Sequence, residues 1–293
     1  MSGTSSRQRL RQALSRAAMN VLGRRSLWRL GRSLYMAARN DGDNDPTFNG
    51  ERWLQGQLLH AFAGEPQMVV FDVGANVGAW TNMLLDQASP ERAATLRVHA
   101  FEPVESTRET LRASLARHPR AGAVTVVPAA LSDADGTVEM YEVEANGTIN
   151  SLHPDPFVQG RQVVIQTRRA DRYCADEGIQ TVHLLKVDTE GHDFSVLQGA
   201  EPLFRAERVR VAQFEYNHRW VYARHYLKDV FDLMQDMPYV VGKLTPAGIE
   251  LYDGWHFELE RFFENNFVVL HRSVVDRVPT VRGTFSMTDN TYA

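Results

Sequence analysis

The loop Phe71-Asp72-Val73-Gly74-Ala75-Asn76-Val77-Gly78 combines glycines, an amide and an acid between a predicted strand and a predicted helix. Gly74 and Gly78 let a ligand approach the backbone without a Cβ in the way, and Asn76 accepts a positive φ more readily than most residues. Open α/β folds bind nucleotides at such turns, at the carboxyl ends of their strands. The loop is therefore predicted to hold a nucleotide-like cofactor.

The spacing of the glycines and the neighbouring acid distinguish two classes of cofactor. A dinucleotide fingerprint reads G-x-G-x-x-G, whereas this loop reads G-x-x-x-G with Asp72 two residues before the first glycine. A carboxylate would repel a pyrophosphate, but it suits the ammonium and sulfonium groups of S-adenosylmethionine. The loop therefore favours S-adenosylmethionine over a nicotinamide cofactor, and a tight turn without a ligand is the alternative.

Acidic and hydroxyl side chains also follow the second and third predicted strands. Glu102 ends the second strand and is predicted to accept both ribose hydroxyls of the cofactor, although an acid at this position also suits a helix cap. Ser132 and Asp133 end the third strand on the same edge of the sheet, where they are predicted to hold the adenine amino group. These three residues extend the predicted cofactor site across neighbouring strands.

The turn after the fourth strand concentrates four ionisable residues: Asp188, Glu190, His192 and Asp193. Methyl transfer to an alcohol needs the hydroxyl held in line with the methyl group and a proton acceptor, because a neutral alcohol is a poor nucleophile. His192 is the preferred base, since the reference pKa of histidine, about 6.5, leaves it largely neutral at pH 7. Asp188 and Glu190 are assigned to orienting the acceptor or binding the cofactor ammonium. The alternative is that Asp188 and Asp193 cap the following helix and that His192 only forms a hydrogen bond with a neighbouring loop.

The fifth strand ends in Glu215, Asn217 and His218, which we predict to bind the acceptor. Trp220 follows them and is predicted to stack on a sugar or macrocycle, although such aromatic residues more often pack helices together. Asp188, Glu190 and Glu215 would also suit a Mg²⁺ ion that acidifies a bound hydroxyl. Sequence spacing does not fix carboxylate geometry, so the metal stays unassigned.

These residues need a sheet that brings the strand ends together. Beyond about Gln67, short β-rich runs alternate with helical stretches, which predicts a doubly wound α/β fold with a mostly parallel sheet. The predicted strands are Met68–Val73, Leu96–Phe101, Val124–Leu131, His183–Val187, Val209–Phe214, Val240–Leu244 and Phe267–Leu270, and the predicted helices are Ala79–Gln87, Ser106–Arg117, Phe194–Leu203 and Tyr226–Met237. Val138–Val143 and Val163–Thr167 are predicted as an inserted antiparallel pair, with Asn146, Gly147 and Asn150 in a loop that could face a ligand.

Residues 1–66 are interpreted as a helical arm followed by a loop. No acid occurs from Met1 to Arg39, arginine and serine recur, and Leu10, Leu14 and Ala18 stand at helical spacing. A mitochondrial transit peptide and a basic membrane-surface helix share this composition. We favour an arm that packs on its own domain or mediates a homodimer.

Five segments resemble the FkbM-type family of S-adenosylmethionine-dependent methyltransferases: FDVGANVG, HAFEPVE, AALSD, LLKVDTEGHDFSVLQGA and VAQFEYN. They cover Val69 to about Asn217, and the D-T-E-G-H-D-x-x-V-L-x-G run is the most distinctive. Two further segments, Tyr35–Glu51 and Phe262–Val268, also resemble segments of family members. The resemblance supports S-adenosylmethionine as the cofactor.

Membership implies a class I methyltransferase domain, here residues 67–293, with a Rossmann-like seven-strand sheet whose last strand is reversed. It also implies methyl transfer, most often to a hydroxyl of a sugar, polyketide or other natural product. By this resemblance Asp72, Gly74, Asn76, Gly78 and Glu102 would line the cofactor site.

Composition indicates the class of protein, its cellular compartment and the partners that it excludes. The 293 residues are 43% hydrophobic and 23% charged, which is typical of a folded soluble protein. The single cysteine, Cys174, cannot form an internal disulfide, which favours the cytoplasm. A net charge of −4 argues against a nucleic-acid partner, and no apolar run reaches the length of about 18 residues that a membrane helix needs.

Together these observations predict an O-methyltransferase that acts on a small hydroxylated natural product or sugar. Methyl transfer to nitrogen or carbon on the same fold is an alternative. A nicotinamide-dependent oxidoreductase and a non-catalytic scaffold are the other two interpretations, and cofactor binding distinguishes them.

Overall fold

A computed structural model of the chain describes residues 6–42, 44–142, 152, 160–285 and 290–292. It divides into two compact units, residues 1–42 and 43–293. The first contains helix α1 (Ser6–Arg39), which confirms the predicted N-terminal helix and is interrupted at Gly23, where φ is 71°. In the described ranges, no helix combines the length and the apolar character that crossing a bilayer requires.

The second unit alternates strands and helices along most of its length. The strands are β1 (Met68–Val73), β2 (Leu96–Phe101), β3 (Val124–Val127), β4 (Ala130–Leu131), β5 (Gly136–Glu142), β6 (Arg161–Arg168), β7 (Val182–Val187), β8 (Val209–Tyr216), β9 (Tyr239–Thr245), β10 (Gly248–Tyr252), β11 (Asn265–His271), β12 (Thr280–Phe285) and β13 (Asn290–Tyr292). The helices are α2 (Glu51–Ala61), α3 (Ala79–Gln87), α4 (Pro90–Thr95), α5 (Glu105–Leu115), α6 (Ala170–Asp176), α7 (Asp193–Gly199), α8 (Glu201–Arg205), α9 (Trp220–Ala223), α10 (Leu227–Met234) and α11 (Arg272–Val275).

The main sheet has the strand order β13-β12-β10-β9-β11-β8-β7-β1-β2-β3. Five neighbouring strands of this sheet, β3, β2, β1, β7 and β8, are parallel to one another. Strand β11 runs antiparallel to both of its neighbours, β8 and β9. The predicted α/β fold, with a mostly parallel sheet and a reversed strand, is thus confirmed. Strands β10, β12 and β13 extend the expected seven strands. The sequence pattern did not predict them, because β10 and β12 contain glycine and charged residues and β13 has only three residues.

The third predicted strand is divided between two sheets. Residues 124–127 form β3 of the main sheet, whereas β4 pairs with β6 in a separate three-stranded sheet. Pro128 lies between the two strands and has no N–H to donate to a ladder, which explains the break. The predicted antiparallel insertion is confirmed as β5 and β6. Asn146, Gly147 and Asn150 lie outside the described residues.

The core consists of two apolar layers, one on each face of the main sheet. Phe71 and Phe214 belong to one layer, and Val70 and Val211 belong to the other, so β1 and β8 are buried on both faces as parallel strands require. Helix α2 is part of this core because Leu54 is fully buried in the second layer. Our expected boundary after residue 66 assigned α2 to the arm, whereas its packing assigns it to the sheet domain.

Candidate active site

A cavity of about 590 Å³ opens at the carboxyl ends of the central strands, where open α/β folds hold their ligands. Half of the predicted site residues line it: Gly74, Asn76, Glu102, Asp188, Glu190, His192 and Glu215. The structure therefore brings residues from the ends of β1, β2, β7 and β8 together around one space. The other half do not line it: Asp72, Gly78, Ser132, Asp133, Asn217, His218 and Trp220.

The glycine loop turns through left-handed backbone conformations. Gly74 has φ of 77° and Asn76 has φ of 47°, as the sequence led us to expect. A Cβ on Gly74 would lie 2.0 Å from the carbonyl oxygen of Asp188, so this glycine lets the ends of β1 and β7 come together. Gly78 has φ of 86°, and a Cβ there would lie 2.6 Å from Cδ1 of Leu111. Gly78 therefore allows close packing against Leu111, and its place in the cofactor site stays a prediction.

Glu102 is anchored at the tip of β2 by two backbone groups. Its Oε2 accepts a hydrogen bond from the N–H of Asn76 at 3.1 Å, and its Oε1 accepts one from the N–H of Val104 at 2.9 Å. Burial nevertheless raises the pKa of the Glu102 carboxyl to about 7. The oriented carboxylate lines the cavity beside the glycine loop, which is the geometry that ribose hydroxyls need.

Asp72 is fully buried beneath the loop and does not reach the cavity. Its carboxylate accepts a hydrogen bond from Oγ1 of Thr81 at 2.6 Å and lies 3.0 Å from Nζ of Lys186. Burial lowers the pKa of Lys186, but Asp72 and then Asp188 raise it by more, so this ammonium keeps its proton. The Asp72 carboxylate thus holds Lys186 and Thr81 in this structure, and its contact with the cofactor stays a prediction.

His192 lines the cavity and connects to a hydroxyl and a carboxylate behind it. Its Nε2 lies 2.9 Å from Oγ of Ser132, which donates a hydrogen bond to Oδ1 of Asp133 at 2.9 Å. Because a carboxylate only accepts, the network assigns the Nε2 proton to His192 and leaves the lone pair on Nδ1.

Ser132 and Asp133 lie behind His192 and not in the cavity lining, and their contact with adenine stays a prediction. Ser132 is buried behind His192, and Asp133 is exposed. Apolar side chains line this end of the cavity instead, among them Leu131, Met140 and Ile165. The sequence analysis missed these three because apolar residues on strands are indistinguishable from core residues in a single sequence.

Two further acids of the fourth-strand turn differ in their role. Glu190 has φ of 55° and lies 2.8 Å from Nη1 of Arg219; burial and then Asp188 raise its pKa to about 8. Asp193 is fully buried and accepts hydrogen bonds from the N–H groups of Gly191 at 3.2 Å and Thr189 at 3.4 Å. Asp193 therefore holds the turn, which agrees with its alternative interpretation as a capping residue.

Of the group after the fifth strand, Glu215 alone lines the cavity. Asn217 is buried and donates to Oε2 of Glu215 at 2.7 Å, so it positions this carboxylate. Trp220 is fully buried in the core and donates from Nε1 to the carbonyl of Glu215 at 2.9 Å. His218 is exposed and packs edge-on against Tyr222. Asn217, His218 and Trp220 thus lie outside the cavity lining, and their acceptor contacts stay predictions.

Several cavity residues come from segments whose chemistry the sequence analysis did not assign. Asn49 precedes α2 and Glu51 is its first residue, and Asn265 and Asn266 begin β11. Arg219 lines the cavity beside Glu190. The family-like segments Tyr35–Glu51 and Phe262–Val268 contain four of these residues and were the signal that could have found them.

The magnesium hypothesis is not supported by this geometry. Among the described residues, no three histidine, cysteine, aspartate or glutamate side chains form a group that could hold a metal ion. Burial followed by the charges of Asp188 and Glu190 raises the pKa of Glu215 well above its ordinary range. Mutual repulsion in this cluster is thus relieved by protons and by Arg219.

The cavity fits a polar cofactor in a further respect. Asn76 Oδ1, Trp80 Nε1 and Thr189 Oγ1 are buried atoms without a hydrogen-bond partner in the part of the chain that the structure describes, and all three residues line the cavity. Buried polar groups in native proteins are normally paired, so their place here suits a ligand with donors and acceptors. S-adenosylmethionine offers both.

Comparison with known proteins identifies related sequences. The family described as "Methyltransferase FkbM domain" matches residues 72–241. The 31-O-demethyl-FK506 methyltransferase FkbM of Streptomyces tacrolimicus is 30% identical over 172 residues, which cover 49% of this chain and 64% of that protein. The chain thus spans just under two thirds of the length of this relative. The 2-O-methyltransferase NoeI of Sinorhizobium fredii is 23% identical over 201 residues, covering 64% of this chain and 78% of that protein.

A solved structure with similarity is methyltransferase FkbM from Methylobacillus flagellatus. It has a TM-score of 0.46 and 18% sequence identity, covering 70% of this chain and 44% of that one.

Proposed function

The chain belongs to the FkbM methyltransferase family, and from this premise we propose that it transfers the methyl group of S-adenosylmethionine to a hydroxyl of a small natural product or sugar. The observation that carries the proposal is a single cavity that joins an oriented carboxylate, Glu102, to an ionisable group around His192. The names of the two relatives, a 31-O-demethyl methyltransferase and a 2-O-methyltransferase, both specify an oxygen acceptor.

In this proposal one end of the cavity binds the cofactor and the other binds the acceptor. S-adenosylmethionine supplies an electrophilic methyl group when bound. Glu102 accepts hydrogen bonds from the ribose hydroxyls, and the left-handed turn at Gly74 and Asn76 brings the backbone close to the ligand. Leu131 and Ile165 provide an apolar surface for the adenine ring.

The acceptor hydroxyl loses its proton to the imidazole of His192. The hydrogen bond from Nε2 to Ser132, and that from Ser132 to the exposed Asp133, hold the ring and its tautomer. Asp188, Glu190 and Glu215 line the acceptor side and orient its hydroxyls. Removing the proton during transfer is worth about 10²–10⁴ in rate for a positioned base.

Calorimetry tests the cofactor. We expect the wild-type protein to bind S-adenosylhomocysteine and to give no heat with NADH. Glu102→Gln should weaken binding about tenfold to a hundredfold, because charge-assisted hydrogen bonds are lost. The control is Glu109→Gln, since Glu109 is exposed and outside the cavity. No binding of S-adenosylhomocysteine would reject the methyltransferase proposal.

Transfer of a labelled methyl group to a panel of sugars and polyols tests the acceptor. Mass spectrometry of the product distinguishes methylation of oxygen from that of nitrogen or carbon. Product methylated only on nitrogen or carbon would retain the family chemistry and reject the hydroxyl acceptor.

We also propose a cytoplasmic setting, on the single cysteine Cys174, and a homodimer formed through α1. Cell fractionation checks the first. Sedimentation of the full chain and of a variant that begins at residue 43 checks the second. The same number of subunits per particle in both would exclude the arm from assembly.

A further inference from the structure

We propose that Glu51 binds the α-ammonium group of the amino-acid end of the cofactor. This inference rests on the proposed function, and it assigns a cofactor-binding role to a residue that precedes the first strand of the sheet. Glu51 lines the same cavity as Glu102, from the other side of the glycine loop.

Three neutral amide groups fix the Glu51 carboxylate in place. Its Oε1 accepts hydrogen bonds from Nδ2 of Asn49 at 2.8 Å and from Nδ2 of Asn266 at 3.3 Å, and its Oε2 accepts one from Nε2 of Gln213 at 2.8 Å. Gln213 lies on β8 and Asn266 on the neighbouring strand β11. The carboxylate is therefore held over the ends of these two strands.

The charge of Glu51 lacks a direct counterion. Within the described ranges, no lysine, arginine or histidine nitrogen lies within 4.0 Å of its carboxylate, and the nearby Lys186 contacts Asp72 at 3.0 Å and Asp188 at 3.4 Å. Burial raises the pKa of Glu51, with Asn49 and Lys186 acting against it. Glu51 is half-buried, and a carboxylate that is partly removed from water without a paired cation is unfavourable, so an incoming ammonium would be attracted.

The order of the strands places Glu51 at a suitable distance from the ribose site. Glu102 follows β2, and β1 and β7 separate β2 from β8. Neighbouring strands are about 4.8 Å apart, so the tips of β2 and β8 are separated by roughly 14 Å. A cofactor with its ribose on Glu102 and its adenine on the β4 side extends its amino-acid chain over Gly74 toward β7 and β8, where Glu51 lies.

Trp80 gives an independent indication that a ligand belongs at this end. Its side chain is 6% exposed and lines the cavity, yet its indole N–H has no hydrogen-bond partner in the described chain. The Nζ of Lys186 lies 5.7 Å from the centre of the Trp80 ring, which places this ring beside the charges around Glu51. A buried donor without a partner is costly, and a ligand that carries a carboxylate next to its ammonium would supply the missing acceptor.

The test compares two ligands that differ only in the amino-acid end. S-adenosylhomocysteine carries it, and 5′-methylthioadenosine lacks it. We expect Glu51→Gln to weaken S-adenosylhomocysteine binding about tenfold to a hundredfold, while the affinity for 5′-methylthioadenosine changes by less than about threefold. Glu102→Gln should weaken both ligands, because both carry the ribose. Glu109→Gln is the control.

A measurement on the wild-type protein guards against a Glu51 variant that fails to fold. Replacing the ammonium of S-adenosylhomocysteine by hydrogen should cost the wild-type protein the same factor that Glu51→Gln costs with the unmodified ligand. Equal affinity of the wild-type protein for the ligands with and without the ammonium would overturn the inference, and so would a Glu51→Gln variant with unchanged ligand selectivity. If the wild-type protein bound neither S-adenosylhomocysteine nor 5′-methylthioadenosine, the proposed function itself would fail.

Discussion

Replacing Ser132 with alanine tests whether the hydrogen bond behind His192 supports the catalytic base. The substitution removes the acceptor that lies 2.9 Å from His192 Nε2 and disconnects the ring from Asp133. A net hydrogen bond contributes about 1 kcal/mol, and a buried donor left without a partner costs about 1–3 kcal/mol. Because 1.4 kcal/mol corresponds to a factor of ten, kcat should fall about tenfold. His192→Ala, which removes the base itself, should lower kcat by about 10² or more.

The assay is steady-state transfer of a labelled methyl group, with kcat and the KM of both substrates measured for each variant. Ser114→Ala is the matched control, since Ser114 also accepts one side-chain hydrogen bond, from Nδ2 of Asn82 at 2.9 Å, but does not line the cavity. We expect Ser132→Ala to lower kcat with little change in the KM for the cofactor. Added imidazole should partly restore the kcat of His192→Ala.

Three results would refute this reasoning. If Ser132→Ala raised the KM for the cofactor and left kcat unchanged, the result would support the predicted contact between Ser132 and adenine instead. Equal effects of Ser132→Ala and Ser114→Ala would mean that only stability had changed. Full activity of His192→Ala would reject His192 as the base.

Gly74→Ala should destabilise the protein by about 2 kcal/mol or more, because φ is 77° and the new Cβ would lie 2.0 Å from the Asp188 carbonyl oxygen; Gly64→Ala, with open space around it, should leave the thermal midpoint nearly unchanged. Trp220→Phe should lower the unfolding free energy by about 1–3 kcal/mol through the lost bond to a backbone carbonyl, with the acceptor KM unchanged; a large rise in KM alone would restore the stacking role. Burial raises the pKa of Asp193 from 3.8 to about 7, so the native state holds this proton to a higher pH than the unfolded state does. Stability from this group is therefore greatest at low pH and is lost as pH rises through about 7, and Asp193→Asn should flatten the dependence of the denaturation midpoint on pH.

The sequence predicts the residues at the tips of the central strands well. Glu102 and Asp188 directly follow β2 and β7, and Glu215 is the last residue but one of β8. Parallel strands bring their carboxyl ends to one edge of a sheet, where these side chains line the cavity. The strands themselves are recognisable because they are buried on both faces and read as continuous apolar runs. Periodicity and polarity together thus suffice to bring these side chains to one cavity.

Side-chain direction within a turn is much harder to predict. Trp220 and Asn217 follow the same strand as Glu215, yet the first is a core residue and the second only positions the Glu215 carboxylate. Asp72 lies beside the glycine loop but faces Lys186, because residues that alternate along β1 point to opposite sides. These outcomes depend on a partner elsewhere in the chain, which spacing in one sequence does not reveal.

The same dependence on distant partners distinguishes the two ends of the cavity. The ribose end of the cavity is built from neighbouring elements, with Glu102 held by backbone groups of its own and the adjacent loop. The opposite end joins distant segments, because Gln213 donates to Glu51 and also to Oδ1 of Asn266 at 3.1 Å. A change at Asn266 therefore alters the position of Glu51 without touching the ribose site. We expect Asn266→Ala to change the KM of the acceptor and the selectivity between S-adenosylhomocysteine and 5′-methylthioadenosine while 5′-methylthioadenosine still binds; weakened binding of both nucleosides would show instead that the two ends of the cavity do not act independently.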